Sequence, residues 1–537
     1  MSSLEPTSPS PVPRGPRHAA PRTRRKIRLF PRSWWARSIL ALVLVLVLVV
    51  GGYAGYVWYQ ANRVHHIAVK GLSSASASKA GTENILLVGS TDRCALTVQN
   101  PAYGLCSQGV TGINSDVVMI LHLDWNTGQV SVLSIPRDTF VPNARSTGAN
   151  KIDAALVQGA NQLVAAIEQD FAIPIQHFVE LNFDTFAGVV DALGGIKMYF
   201  PVAVHDTYSG LNQLQTGCVQ LNGTQALQVV RARHLQYETA TSGPNPANWP
   251  QENLSDLARI RRDHEFLRVL AAAVSKQGIS NPLTDAKLIS AVAPDLTVDS
   301  GLSTQNMISM IQKFKNVNPQ TAPQLTLPVM TSTSYSYYYQ GGNYGNVAFP
   351  VNTEDLATIQ QFMGVNNSTN TLTNQPLPSP SQVSVAVMNG TSTSGLASSA
   401  ASALQANGFK VTNVGNVTPV GNPALTTVTY NSLNPSVVAQ AQTVWHDLSG
   451  QTILEYDPTQ SAPVTLVLGT SYSILNLVPP ATTTTAKATA STAHATTTTT
   501  VPVTTTTIPG FQAPNSAVSG LQPWDPRSCT PSGGEGP

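Results

Sequence analysis

"NSDVVMILHLDWNTGQVSVLSIPRDTF", Asn114–Phe140, contains two short apolar runs, "DVVMILHL" and "VSVLSIP". A third, "NILLVGS", begins at Asn84. Runs of this length, rich in β-branched residues, predict buried strands. Helical patterns alternate with them. "DAALVQGANQLVAAIEQDF" places Leu156, Ala160, Leu163, Ala166 and Ile167 close to a 3.6-residue period. "FDTFAGVVDALGG" follows and ends in glycines, a stop signal. Such alternation predicts a layered α/β domain, here over about residues 83–370.

Working outward, "TLTNQPLPSPSQ" (371–382) reads as a Pro-rich linker. A second, smaller α/β domain is expected over 383–472, with strands such as "VSVAVMNG" and "VTLVLG" around two helices. From 473 to 537 the composition turns to Thr runs with Pro, which cannot bury a core and predicts a disordered tail. In the other direction, residues 60–82 read as a small, polar stalk. Ser38–Tyr59 carries no charge and is long enough for a membrane-spanning helix, which needs about 20 residues. Residues 1–37 hold nine of the thirty Lys+Arg and one acid. The positive-inside rule assigns that tail to the cytoplasm and the rest of the chain to the outside. A cleaved signal peptide is the rival reading, but the span is longer than the usual apolar core of about 7–15 residues.

The remainder, 38–537, sums to −6, which excludes a general polyanion binder; no nucleic-acid partner is expected. The four cysteines, Cys94, Cys106, Cys218 and Cys529, all follow the span. An outside location permits disulfides, and Cys94–Cys106 is the preferred pair. "SYSYYYQGGNYG" offers either a sugar-stacking surface or a hairpin with cross-strand aromatic pairs, and the hairpin is favoured.

Only 11% of residues are charged, against about 25% in an average soluble domain, so the placement of charge is informative. Asp92-Arg93 follow the first predicted strand, Asp116 opens the second, and Arg137-Asp138 follow the third. Ligands of open α/β sheets gather outside strand ends. Structural salt bridging is the plainer alternative. "NGTQALQVVRARH" predicts a helix with Asn222 as N-cap and Gln225 in capping-box position, leaving Arg231 and Arg233 at its end. Complementing the helix dipole would explain one of these arginines better than two. In "SDLARIRRDHEFLRVLAAAV", Arg259 and Arg262 share a helix face, while Arg261 and Arg268 are expected in solvent. Converging guanidiniums repel unless an anion lies between them, and arginine forks match phosphate oxygens. Two carboxylates can hold a Mg²⁺ that also takes phosphate oxygens. The pattern points to phosphoryl transfer from a donor that is not a nucleotide, since no P-loop or dinucleotide fingerprint is present.

The same stretches resemble the LytR-CpsA-Psr family of bacterial cell-wall phosphotransferases. "NILLVGSTDR", "NSDVVMILHLD", "VSVLSIPRDTFVP", "KIDAAL", "NFDTFAGVVDALGGI", "LNGTQALQVVRARH" and "LARIRRDHEFL" occur in family order over about 83–275. "VAVMNGTSTSGLA" resembles the LytR C-terminal domain. The resemblance implies a layered α/β/α catalytic domain. It also implies a membrane-anchored enzyme that moves a glycopolymer phosphate from a polyprenyl-diphosphate carrier onto peptidoglycan, with Mg²⁺ as cofactor. On this reading Arg137, Asp138, Arg231 and Arg233 are catalytic, and Arg93, Lys151, Arg259 and Arg262 bind substrate. Asp116 holds the metal with Asp92 or Thr91. Two positions depart from the family pattern: Thr91 stands where the family usually has Asp, and Asn114 where it has Arg. A non-catalytic wall scaffold that binds polyprenyl diphosphate or peptidoglycan is the alternative. Asp138 is left with two roles, orienting Arg137 or acting as base.

Overall fold

The computed structural model describes residues 51–53, 55–56, 58–60, 62–74, 81–91, 94, 105–109, 113–253, 255–277, 282–332, 336–366, 368–470, 511–512, 520–530 and 534. The basic tail, most of the expected membrane span, Asp92 and Arg93 lie outside them. Among the described residues no helix is long and apolar enough to cross a membrane. Residues 1–58 and 59–537 form separate units, and the second contains everything that follows.

Among the described residues, a central sheet has seven strands: β1 His65–Ile67, β2 Thr82–Ser90, β3 Ser115–Asp124, β4 Gln129–Ser134, β5 His177–Leu181, β6 Thr297–Asp299 and β7 Gln324–Thr326. Their order is β1-β6-β5-β2-β3-β4-β7. The sheet is mixed: β2 runs parallel to β5 and antiparallel to β3, and β3 is antiparallel to β4. The helices used below are α1 Ala160–Phe171, α2 Phe183–Ala192, α3 Gly223–Arg231, α4 Ser255–Gln277, α5 Pro282–Val292 and α6 Thr304–Phe314.

Strand side chains alternate between two faces. Leu86, Val88, Val118, Ile120 and Leu133 pack into one core with Leu163, Val164 and Ile167 of α1. Ile85, Leu123 and Val298 face the other way, into a core with Ala293 and Met310. The domain is thus a mixed α/β layered fold. Helix α1 starts at Ala160, later than its apolar period suggests. Gly159 takes φ 95°, and the preceding residues Ile152–Gln158 form a 3-10 turn. Helix α3 carries the expected capping box of Asn222 and Gln225. Gly223, at its start, packs so closely on α2 that a Cβ would run into the Ala187 carbonyl.

Residues 383–470 fold as a five-stranded sheet with helices Leu396–Ala406 and Pro435–His446. They do not stand apart. Val385, Leu404, Val444 and Trp445 belong to the same core as α1. The Tyr430 hydroxyl donates to the Gln169 carbonyl at 3.1 Å, and Asn143 exchanges two hydrogen bonds with the Tyr456 backbone. Nor is 371–382 a free linker. Thr371 is buried, and the Thr443 hydroxyl bonds the Pro378 carbonyl at 3.2 Å.

The expectation of a disordered tail through 537 is corrected near its end. Residues Arg527–Ser528 form a strand that pairs with Ile196–Phe200. Cys529 is bonded to Cys218, beside the expected Cys94–Cys106 bridge. Composition concealed this because the anchors, a disulfide and a few buried side chains, need no hydrophobic period. The tyrosine stretch forms a hairpin, Tyr338–Tyr339 against Gly342–Asn343. Its Tyr337 and Tyr344 rings pack edge-on against Phe140 and, with centres 6.3 Å apart, against each other.

Candidate active site

Strand β3 delivers Asp116 at its start, and β4 ends just before the turn at Pro136-Arg137-Asp138. That turn is fixed by its backbone. Ile135 N–H donates to the Val118 carbonyl (2.9 Å), Asp153 N–H to Arg137 (3.2 Å) and Ala348 N–H to Asp138 (2.8 Å). The Thr139 hydroxyl closes the turn on the Pro136 carbonyl at 2.6 Å.

Arg137 pairs through one nitrogen with Asp116 and through another with Asp153, at 2.8 Å. Asp138 accepts from Lys151 at 2.8 Å with one oxygen and from Arg233 at 3.4 Å with the other. Arg233 Nε also lies 3.4 Å from Asp256. Arg259 forms the buried back wall, 2.9 Å from Asp256, 3.7 Å from Asp263 and 2.5 Å from the Asp116 carbonyl oxygen. Arg137, Lys151 and Arg233 remain partly open to solvent, with side chains 18%, 20% and 30% exposed. The Nε groups of Arg137 and Arg233 have no hydrogen-bond partner.

These contacts overturn one expectation. The chain supplies its own anions between the guanidiniums, so their convergence does not by itself require a phosphate. Electrostatics follow from the packing. Burial works to raise the Asp138 carboxyl, but Lys151, Arg137 and Arg233 outweigh it and hold the group below the usual carboxylate range. For Asp153 burial wins over Arg137 and lifts it to about 6. For Asp263 burial likewise prevails over Arg259, to about 7.

The remaining expected site residues are placed as follows. Arg231 lies with its guanidinium 4.8 Å above the centre of the Phe183 ring, so the end of α3 sends Arg231 and Arg233 to different partners. Thr91 is buried, and its hydroxyl is engaged with the Asn114 backbone at 3.2 Å. Asp92 and Arg93 lie outside the described residues. Arg262 does not join Arg259. It is fully buried and paired with Glu252 and Asp525, and it donates to the Ala232 carbonyl at 2.5 Å. Arg261, expected in solvent, is buried against the same two carboxylates. Their partner Asp525 comes from the tail, which explains why helical phase misassigned both.

Asp153, Asp256 and Asp263 join the cluster without having been singled out. Spacing could have found two of them: Asp256 and Asp263 stand three before and four after Arg259 on one helix, where side chains meet. Among the described residues no group of three or more His, Cys, Asp or Glu could hold a metal. Mg²⁺, however, is commonly bound by one or two carboxylates plus substrate phosphates. Asp116 fits that pattern, with one oxygen on Arg137 and its side chain 19% exposed. Thr91 does not, since its hydroxyl is taken up by backbone.

Farther along β3 and α4 is an apolar groove of about 840 Å³. Its floor is sheet, including Leu121, Leu123 and Val132, and its walls are Leu267, Leu270 and Val274 of α4 with Phe314 of α6. The same two elements connect the regions. Strand β3 runs from Asp116 to Leu123, and α4 from Arg259 to Val274. A small pocket lined by Asp116, Met119, Arg259 and Asp263 lies between the same strand and helix.

The fold and site define a mixed α/β protein with a cluster of arginines and carboxylates and, farther along the same strand and helix, an apolar groove. The chain belongs to the LytR_cpsA_psr family, whose model matches residues 58–353. Residues 382–472 match the LytR cell envelope-related transcriptional attenuator model. The probable cell wall biosynthesis protein LcpB of Corynebacterium glutamicum is 32% identical over 285 residues, covering 52% of this chain and 62% of that protein. The polyisoprenyl-teichoic acid–peptidoglycan teichoic acid transferase TagU of Bacillus subtilis is 29% identical over 205 residues, 36% of this chain and 61% of its own. The chain thus spans less than two thirds of either curated relative. Among solved structures, the LytR-Csp2A-Psr enzyme from Actinomyces oris is similar at 22% identity, with a TM-score of 0.42, over 56% of this chain and 96% of that one.

Proposed function

We propose that this chain is a membrane-anchored phosphotransferase that moves a glycopolymer phosphate from a polyprenyl-diphosphate carrier onto peptidoglycan. The observation that carries the reading is that the arginine–carboxylate cluster and the apolar groove are built on the same two elements, β3 and α4. An amphiphile with a diphosphate head and a polyprenyl chain matches both parts at once. The name of the relative TagU, a polyisoprenyl-teichoic acid–peptidoglycan teichoic acid transferase, supports the same class of cargo. Residues 38–59 serve as the anchor and leave the cluster on the outer side of the membrane.

In the reaction an acceptor hydroxyl forms a bond to the glycopolymer-bearing phosphorus, the bridging P–O bond breaks, and polyprenyl phosphate leaves, its departing oxygen taking up the hydroxyl proton. Arg137 and Arg233, whose side chains are part-exposed, clamp the diphosphate and meet the charge that develops on it. Lys151 and Arg259 extend that clamp. Asp138 orients it, because both of its oxygens hold cations and those cations make it a weak base. Mg²⁺ bound at Asp116 would further neutralise the phosphate oxygens. Asp116 itself keeps Arg137 in position.

The test incubates the purified full chain with polyprenyl-diphosphate glycopolymer, peptidoglycan and Mg²⁺ and follows polyprenyl phosphate release. Arg137→Ala is expected to lower the rate about 100- to 1,000-fold, the loss typical of one transition-state donor. Equal rates in wild type and variant would overturn the assignment. The alternative, a non-catalytic scaffold, draws on Thr91, whose hydroxyl is withdrawn from any metal. It predicts donor binding with no release in the same assay.

A further inference from the structure

The returning segment 520–530 is tied to the catalytic layer in four ways. Cys529 is bonded to Cys218, 311 residues away in sequence. Arg527 and Ser528 pair with Tyr199 and Met198. Trp524 stacks on Tyr237, with ring centres 4.0 Å apart and planes 5° from parallel, and its Nε1 donates to Glu252 at 3.2 Å. Ser528 N–H donates to Glu265 at 2.9 Å.

The fully buried Asp525 lies at the centre. One of its oxygens accepts from Arg261 Nε at 2.6 Å and from Gln522 N–H at 2.7 Å, and the other accepts from Arg262 at 3.3 Å. Glu252 pairs with both arginines as well. Two guanidiniums and two carboxylates balance. Arg262 then reaches one step further, to the Ala232 carbonyl. Ala232 stands between Arg231 and Arg233. The stretch beyond it is held by His234 N–H on Asp206 (2.8 Å), Glu252 N–H on the Leu235 carbonyl (2.8 Å) and Tyr237 N–H on Pro250 (3.2 Å).

We propose that residues 520–530 form a positioning strap for the phosphate clamp, in which Asp525, acting through Arg262, holds the Ala232 carbonyl and so aims Arg233 at Asp138. The proposal rests on the phosphotransfer reading of the Arg233 cluster. Its physical basis is charge balance. Without the Asp525 carboxylate, Glu252 alone faces two buried guanidiniums, and the uncompensated charge draws Arg262 out of its place. Arg233 touches Asp138 and Asp256 at only 3.4 Å each, so it has no short contact to hold it once Ala232 shifts. Misplacement of a positioning group by about 1 Å is enough to change binding and rate strongly.

The test uses the full chain and reads two quantities: affinity for inorganic pyrophosphate, and hydrogen exchange of the 232–237 amides. Asp525→Asn is expected to weaken pyrophosphate about tenfold and to speed exchange at 232–237 by about the same factor, with β2 and β3 amides unchanged. Asp525→Asn combined with Arg261→Met restores one carboxylate to one guanidinium. It is expected to return both readouts to within about twofold of wild type, a recovery that a merely structural role would not give. Wild-type pyrophosphate affinity and exchange in Asp525→Asn would overturn the proposal, and so would a loss that Arg261→Met fails to recover. Should Asp525→Asn not accumulate, Trp524→Ala loosens the same strap and is expected to shift both readouts about threefold, and no shift would overturn it. If wild type itself binds no pyrophosphate, the proposed function falls, while the exchange of 232–237 still decides the strap.

Discussion

Arg259 and Arg262 lie three residues apart on α4 and belong to different clusters. Around Arg259 the cations are Arg137, Lys151 and Arg233, and three of those side chains meet solvent while carboxylates outnumber them. Around Arg262 the count is closed: Arg261 and Arg262 against Glu252 and Asp525, all sealed. The first arrangement leaves donors for a ligand. The second is sealed from solvent and holds chain to chain. Residue type does not distinguish a clamp from a brace. The distinction lies in whether the cationic side chains reach solvent.

The largest expected effect separates the two directly. Arg262→Ala leaves two buried carboxylates to one guanidinium and is expected to destabilise the protein by about 3–5 kcal/mol. Arg233→Ala removes a part-exposed partner and is expected to change stability by less than about 1 kcal/mol. Denaturant melts of both variants check this. Equal losses would erase the distinction.

A second test asks whether buried polar groups on α4 outside both clusters behave as braces. His264 Nε2 meets the Ser134 hydroxyl at 2.8 Å. Burial first, and Arg268 second, hold its pKa down to about 4. A depressed folded-state pKa gives stability that is present above the unfolded value of about 6.5 and is lost as pH falls towards about 4. The loss amounts to about 3 kcal/mol across that window. Subtracting the stability profile of His264→Gln from that of wild type should isolate it, because His264→Gln can still bond Ser134 and does not titrate. Asp263, raised to about 7 by burial, acts with the opposite sign, losing its contribution as pH rises from about 4 to 7. It is common to both proteins and cancels. A flat difference curve would place His264 with the open cluster.

The strands were legible because β-branched runs bounded by charge are a local signal, and so was the Asn222–Gln225 cap. Arg137, Asp138 and Asp116 were legible as a group because strand ends converge. The two kinds of arginine were not. Helical phase sets Arg259 and Arg262 on one face, but long side chains turn toward whichever carboxylates are near, and Asp525 is 263 residues from Arg262. No local pattern announces such a partner, least of all in a segment whose composition predicts disorder. Thr91 was ambiguous for the opposite reason: its neighbour Asn114 is local to the sheet, but only the register shows that the Asn114 backbone engages its hydroxyl.

The smallest expected effect concerns the groove, the third way of using α4. Val274 is fifteen residues beyond Arg259, about 22 Å along the helix. A charge there cannot reach the clamp but lines the groove. Val274→Asp removes apolar contact and sets a carboxylate against any chain that lies in the groove, where each buried CH₂ is worth about 0.8 kcal/mol. The KM for a long-chain polyprenyl donor should rise about tenfold, equivalent to about 1.4 kcal/mol. Inorganic pyrophosphate, which has no chain, should bind as it does to wild type. That split is the point of the test. If Val274→Asp weakens pyrophosphate as much as the lipid donor, the groove and the clamp are not separate seats, and the contrast between the open and closed parts of α4 has been drawn in the wrong place.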